Sequence, residues 1–130
     1  MKAKLYLPLL LTSVVLFGGC QQSEPEPDYS GIQRLTYTLH ATSASAAQTQ
    51  VWLYPNPFGQ YVTVQVAAQQ GQTATIYLSD PKGRYNKKIE LPDGNATQVQ
   101  VDFGRMPKGV YSCEVRLPGS VRRYRLLKGN

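Results

Sequence analysis

Apolar and polar residues alternate along most of this chain with a period of two, the pattern of strands that bury one face. The clearest run is Val62, Val64 and Val66 against Thr63 and Gln65. Upstream, Val51 to Tyr54 is a short apolar strand that runs into Pro55-Asn56-Pro57. Neither proline has a backbone donor, and each pushes the residue before it toward extended geometry, so no helix passes through. Strand, turn, strand is what remains.

The same grammar continues downstream. Ala74, Ile76 and Leu78 alternate with Thr75 and Tyr77, and Asp80-Pro81-Lys82-Gly83 closes that strand with turn chemistry. A strand over 84–91 follows, then the turn Pro92-Asp93-Gly94-Asn95 and the inward positions Val99, Val101 and Phe103. Tyr111, Cys113, Val115 and Leu117 alternate with Ser112, Glu114 and Arg116, and Tyr124 and Leu126 face inward on a last strand. About seven short strands at regular spacing predict an all-β fold, an immunoglobulin-like antiparallel β-sandwich over 51–130. Asn56 is read as capping its own turn, and Gly109 as giving a tight start to a buried strand. Residues 33–50 hold an extra strand over 33–40, with Leu35, Tyr37 and Leu39 on one side, and a small-residue linker over 41–50. The sandwich is therefore expected to begin near Gln50.

The N-terminus reads differently. Lys2 and Lys4 precede an apolar run from Leu5 to Phe17, then Gly18, Gly19 and Cys20. A spanning helix needs about 20 apolar residues, so this shorter run is expected to be an export signal over 1–19. Leu16-Phe17-Gly18-Gly19-Cys20 resembles a bacterial lipoprotein signal, with Phe17 where an aliphatic residue is usual. The resemblance implies cleavage before Cys20, lipidation of its thiol, and a membrane anchor without a spanning segment. The alternative is an ordinary secretory signal cut nearby, which leaves Cys20 as a free thiol or a disulfide partner. Residues 20–32 then form a flexible acidic tether, polar and Pro-rich, with Glu24, Glu26 and Asp28. That acidic cluster is similar to signals following the lipidated Cys in surface lipoproteins of the Bacteroidetes group.

The net charge of +6 matters less than where the basic residues lie. Arg116, Arg122, Arg123, Arg125 and Lys128 crowd the last two strands, where basic side chains block edge-to-edge pairing. Only Tyr124 in that segment could stack a base, so nucleic acid is not an expected partner. His40 stands alone on a polar strand face, and no Cys/His spacing suits a metal. No catalytic constellation is present, so no enzyme activity, metal or cofactor is expected. Cys113, among apolar alternates, reads as a buried small hydrophobe.

Four short motifs in register carry a further resemblance: Tyr54-Pro55-Asn56-Pro57-Phe58; Ile76-Tyr77-Leu78-Ser79-Asp80 with Gly83-Arg84; Met106-Pro107-Lys108-Gly109-Val110-Tyr111; and Arg125-Leu126-Leu127-Lys128. Together they resemble the type A C-terminal sorting domain of type IX secretion cargo. The resemblance implies an immunoglobulin-like sandwich, translocon components as partners, and an outer-membrane or cell-surface destination. In that family a basic residue followed by aliphatics in the last strand contributes to recognition; Arg125 stands where Lys is usual. Relatives carry the domain behind a large passenger and lose it after export, whereas here the passenger would be only Cys20 to about Gln50.

Three functional expectations follow. The leading one is a lipid-anchored envelope protein that presents the sandwich for sorting or surface interaction. The second is authentic type IX cargo with a cleavable transport signal. The third is a glycan-binding module in which Trp52 and the tyrosines supply stacking surface; Trp52 alternates with Val51 and Leu53 and so has an outward option, but a tryptophan beside a turn is more often a lid on the core.

Overall fold

The computed structural model describes residues 18–19, 24–42, 49–68, 72–91 and 96–129. Its strands are β1 (Thr36–Thr42), β2 (Gln50–Tyr54), β3 (Tyr61–Ala67), β4 (Ala74–Ser79), β5 (Asn86–Leu91), β6 (Ala96–Asp102), β7 (Gly109–Leu117) and β8 (Ser120–Lys128). They form two four-stranded antiparallel sheets: sheet A in the order β1-β6-β3-β2, and sheet B in the order β5-β4-β7-β8. Strands β2 to β8 have the order of an immunoglobulin-like sandwich, and β1 is an eighth strand added beside β6.

Alternation places the core as the sequence predicts. Val62, Val64, Val66, Val99 and Val101 from sheet A, with Phe103 just after β6, meet Ile76, Leu78, Ile89, Tyr111, Cys113, Val115 and Leu126 from sheet B, all fully buried or nearly so. Each such side chain contributes about 1.5–3 kcal/mol by leaving water. Thr63 departs from simple alternation. It faces outward on a central strand and is still buried, because neighbouring strands on both sides cover it.

Three expectations are corrected. The folded unit does not begin near Gln50. Tyr29, Ile32 and Leu35 join the core, a short 3₁₀ helix spans Ser30–Arg34, and β1 pairs with β6 from Thr36↔Asp102 to Thr42↔Ala96. Nor is the acidic segment free as far as residue 32. Glu26 pairs with Lys82 and Arg84, which hold its carboxyl below the usual range, and the Ser30 N–H donates to Asp28 Oδ1 at 2.9 Å. Composition understated this segment because two buried side chains, Tyr29 and Ile32, are enough to dock it. Finally, β5 starts at Asn86 rather than residue 84, since Tyr85 still belongs to the preceding loop, donating its N–H to Asp80 Oδ1 at 3.0 Å.

The export signal up to residue 17, Cys20, and the turn at Pro92 to Asn95 lie outside the described residues.

Candidate functional site

The four motifs, distant in sequence, gather around one end of the sandwich. β2 leads into Pro55-Asn56-Pro57, whose Tyr54–Pro55 and Asn56–Pro57 peptide bonds are both cis. Asn56 does not cap its own turn. Its Nδ2 donates to the Arg125 carbonyl at 2.8 Å, and its Oδ1 accepts the Leu127 N–H at 2.9 Å. The carboxamide thus pairs with β8 as a strand backbone would, and the correction has a simple cause. Leu127 and Arg125 alternate with Leu126 on an outer strand, so their backbone groups face away from β7 and need partners. Phe58 continues the pairing: its N–H donates to the Leu127 carbonyl and its carbonyl accepts the Gly129 N–H, both at 2.8 Å, making a parallel bridge to Lys128.

Behind this staple lies a chain of edge-to-face aromatic rings. Phe58 meets Phe103 at 5.0 Å, Phe103 meets Tyr111 at 5.2 Å, and Tyr111 meets Tyr29 at 5.8 Å. Each such pair contributes about 0.5–1.5 kcal/mol beyond its burial. Tyr111 is fully buried and donates its hydroxyl to the Pro107 carbonyl; burial pushes its phenol well above the ordinary range. Gly109, at φ +151°, lets the chain pass close to Tyr29: a Cβ there would lie 3.4 Å from the Tyr29 hydroxyl.

The second motif builds the neighbouring loop around Asp80, which is 1% exposed. Its backbone accepts the Gly83 N–H at 3.0 Å and donates to Tyr85 O at 3.1 Å, while Oδ2 lies 3.6 Å from Arg84 Nε. Gly83, at φ +67°, takes the left-handed conformation that this turn requires.

The predicted site residues therefore divide. Pro55, Asn56, Pro57, Gly83, Arg84 and Arg125 are exposed, Lys128 is half-buried, and Tyr111 is wholly internal. Tyr54 and Trp52 point away from this end, outward from sheet A, at 42% and 43% exposure. The sequence reading missed Tyr29, whose only signal is a lone aromatic at the end of a polar segment, and the bridging role of Asn56. A cleft of about 1110 Å³ opens at the same end, lined by Asp28, Arg34, Gln60, Asp102, Arg105, Met106 and Lys128 among others. Cys113 is buried, and burial alone pushes its thiol up to about 12, so it is no nucleophile. Among the described residues, no group of His, Cys, Asp or Glu side chains could hold a metal ion.

A sequence model of the secretion system C-terminal sorting domain matches residues 52–125, more than half of the chain. The chain belongs to this sorting-domain family. The matched span runs from Trp52 in β2 to Arg125 in β8, so it takes in Asn56 and its Arg125 partner and leaves Leu127 and all of β1 outside. No curated protein matches the sequence. Among solved structures, dimeric latent PorU from Porphyromonas gingivalis is similar at 17% identity and a TM-score of 0.43, covering 62% of this chain. The chain spans only 9% of that PorU chain. Membership in the sorting-domain family ties the chain to a type IX sorting role and a destination at the cell surface or outer membrane.

Proposed function

We propose that this protein is a non-enzymatic envelope lipoprotein, anchored through Cys20, whose sorting-domain sandwich is retained as its working part. The observation that supports retention is the integration of the upstream segment. Tyr29, Ile32 and Leu35 fill the core and β1 extends sheet A, so segment and sorting domain form one folded body. Cleavage near Gln50 followed by release of the sandwich would leave β1 without its sheet and three apolar side chains exposed. Translocon components of the type IX system would meet the end built by Asn56, Arg84, Arg125 and Lys128.

The test is the intact mass of the protein from washed outer membranes, with and without protease added to whole cells. A species running from acylated Cys20 to Asn130, shaved by external protease, is the expected result. A species ending near Gln50 would overturn retention and make the sandwich a disposable transport signal, the second reading of the sequence. A full-length species with an unmodified Cys20 would overturn the anchor alone.

A further inference from the structure

The two outer faces of the sandwich differ in chemistry. Outward positions of sheet B carry Lys88, Glu90, Glu114, Arg116, Arg123 and Arg125, with ion pairs Lys88–Glu90 at 2.9 Å and Arg116–Glu114 at 3.1 Å. Sheet A presents two rows that cross all four strands. One is Trp52, Gln65, Gln98, His40; the next is Tyr54, Thr63, Gln100, Thr38. Neither row holds a Lys, Arg, Asp or Glu.

Two observations make these rows a surface with an assigned chemistry. First, Trp52 and Tyr54 are 43% and 42% exposed and adjacent on one face of β2, so aromatic rings stand in water beside a field of amides and hydroxyls. Second, the amides are oriented. Gln98 Nε2 donates to the Tyr54 hydroxyl at 2.7 Å, and that hydroxyl donates to Gln65 Oε1 at 3.2 Å. The relay fixes both glutamines while leaving Gln98 Oε1 and Gln65 Nε2 outside it. Three inter-strand spacings of about 4.8 Å give each row a length of about 14 Å, room for several rings in line.

We infer that the outer face of sheet A is a binding platform for an uncharged polysaccharide, with Trp52 and Tyr54 stacking on sugar rings and Gln65, Gln98 and Gln100 bonding to hydroxyls. A sugar ring offers an apolar C–H face to an aromatic and hydroxyls that both donate and accept, which amide side chains match in both senses. Nucleic acid and anionic lipid would need cations, and these lie on the opposite sheet and at the end of the sandwich. The platform is separate from the Asn56 end, so the inference goes beyond the sorting role and does not depend on the fate of the sandwich.

The chain has one tryptophan, so intrinsic fluorescence of the full chain reads Trp52 alone. Xyloglucan, galactomannan and dextran are the uncharged probes; polygalacturonate and heparin are the anionic comparators. The expected result is a saturable change of emission with at least one uncharged probe. Gel retardation by that probe should fall about tenfold or more in Trp52→Ala and Gln100→Ala and be unchanged in an Arg123→Gln, Arg125→Gln double variant. Gln100 is exposed, so its variant decides the matter even if Trp52→Ala fails to fold. No response to any uncharged probe, a response to the polyanions alone, or retardation untouched by Gln100→Ala would each overturn the inference.

Discussion

The Asn56 side chain accepts the Leu127 N–H at 2.9 Å, joining residues 71 positions apart, and in doing so holds the outer edge of β8. Together with its bond to the Arg125 carbonyl at 2.8 Å, this amide substitutes for a missing strand. Asn56→Ala is expected to lower stability by about 1–2 kcal/mol, the scale of two partly exposed hydrogen bonds. Asn56→Asp should lose only part of that, because the carboxylate still accepts the Leu127 N–H but cannot donate to Arg125. Urea midpoints give the totals, and faster hydrogen exchange at Leu127 in the Ala variant separates loss of the edge from global loosening.

Ile32 tests whether the upstream segment belongs to the fold. It is fully buried in the same core as Val62 and Leu78, although the family match begins only at residue 52. Ile32→Ala should cost about 2–5 kcal/mol, the range for emptying a packed aliphatic site. A loss near zero would return the described part of the acidic segment, 24–32, to the status of a tether. Tyr37→Ala makes the comparison sharper. Tyr37 lies on β1 but is 39% exposed, so its removal should cost far less.

The sandwich was legible because alternation is a local property: Val62/Val64/Val66 and Tyr111/Cys113/Val115 each declare a buried face within a few residues. The first strand was legible too, but its docking was not. Tyr37 and Leu39 alternate as strand residues do, yet they are 39% and 40% exposed, and β1 is held by backbone pairing with β6, which side-chain pattern does not record. The same reason hid the role of Asn56. A Pro-Asn-Pro turn announces that the chain bends, while the partner of its amide is set by where β8 ends in space, 69 to 71 residues away.

Asp80 supports the loop that carries Gly83 and Arg84. Its buried carboxylate accepts the Tyr85 N–H at 3.0 Å and faces Arg84 at 3.6 Å. Asp80→Ala should cost about 2–3 kcal/mol, because the Tyr85 N–H loses its acceptor in a part-buried setting. Asp80→Asn keeps an acceptor oxygen and should recover much of that loss. Arg84→Ala removes a cation that lies 3.6 Å from the buried Oδ2, and should cost less than Asp80→Ala because Oδ1 keeps its bond to the Tyr85 N–H. If Arg84→Ala proved as costly as Asp80→Ala, the ion pair rather than the backbone bond would be what holds the loop.

Cys113 predicts how stability falls in alkali. Burial raises its thiol from 9.0 to about 12, so between those values the unfolded chain has lost a proton that the folded chain retains. Unfolding therefore releases a proton, and stability must fall as pH rises through that window; below about pH 9 the effect is absent. At pH 10.5 the difference is about 2 kcal/mol, from 1.36 kcal/mol for each pH unit above the unfolded value. Tyr111, whose phenol is also raised by burial, adds to the same limb in wild type and in a Cys113→Ala variant alike, so the difference between the two isolates the thiol. Urea midpoints at pH 8 and pH 10.5 should show wild type losing about 2 kcal/mol more than Cys113→Ala. In native protein at pH 8 the Cys113 peptide should stay unlabelled by N-ethylmaleimide and become labelled fully in urea. Rapid native labelling, or parallel alkaline limbs for the two proteins, would mean that the thiol is open to water and that β7 packs less tightly than its alternation requires.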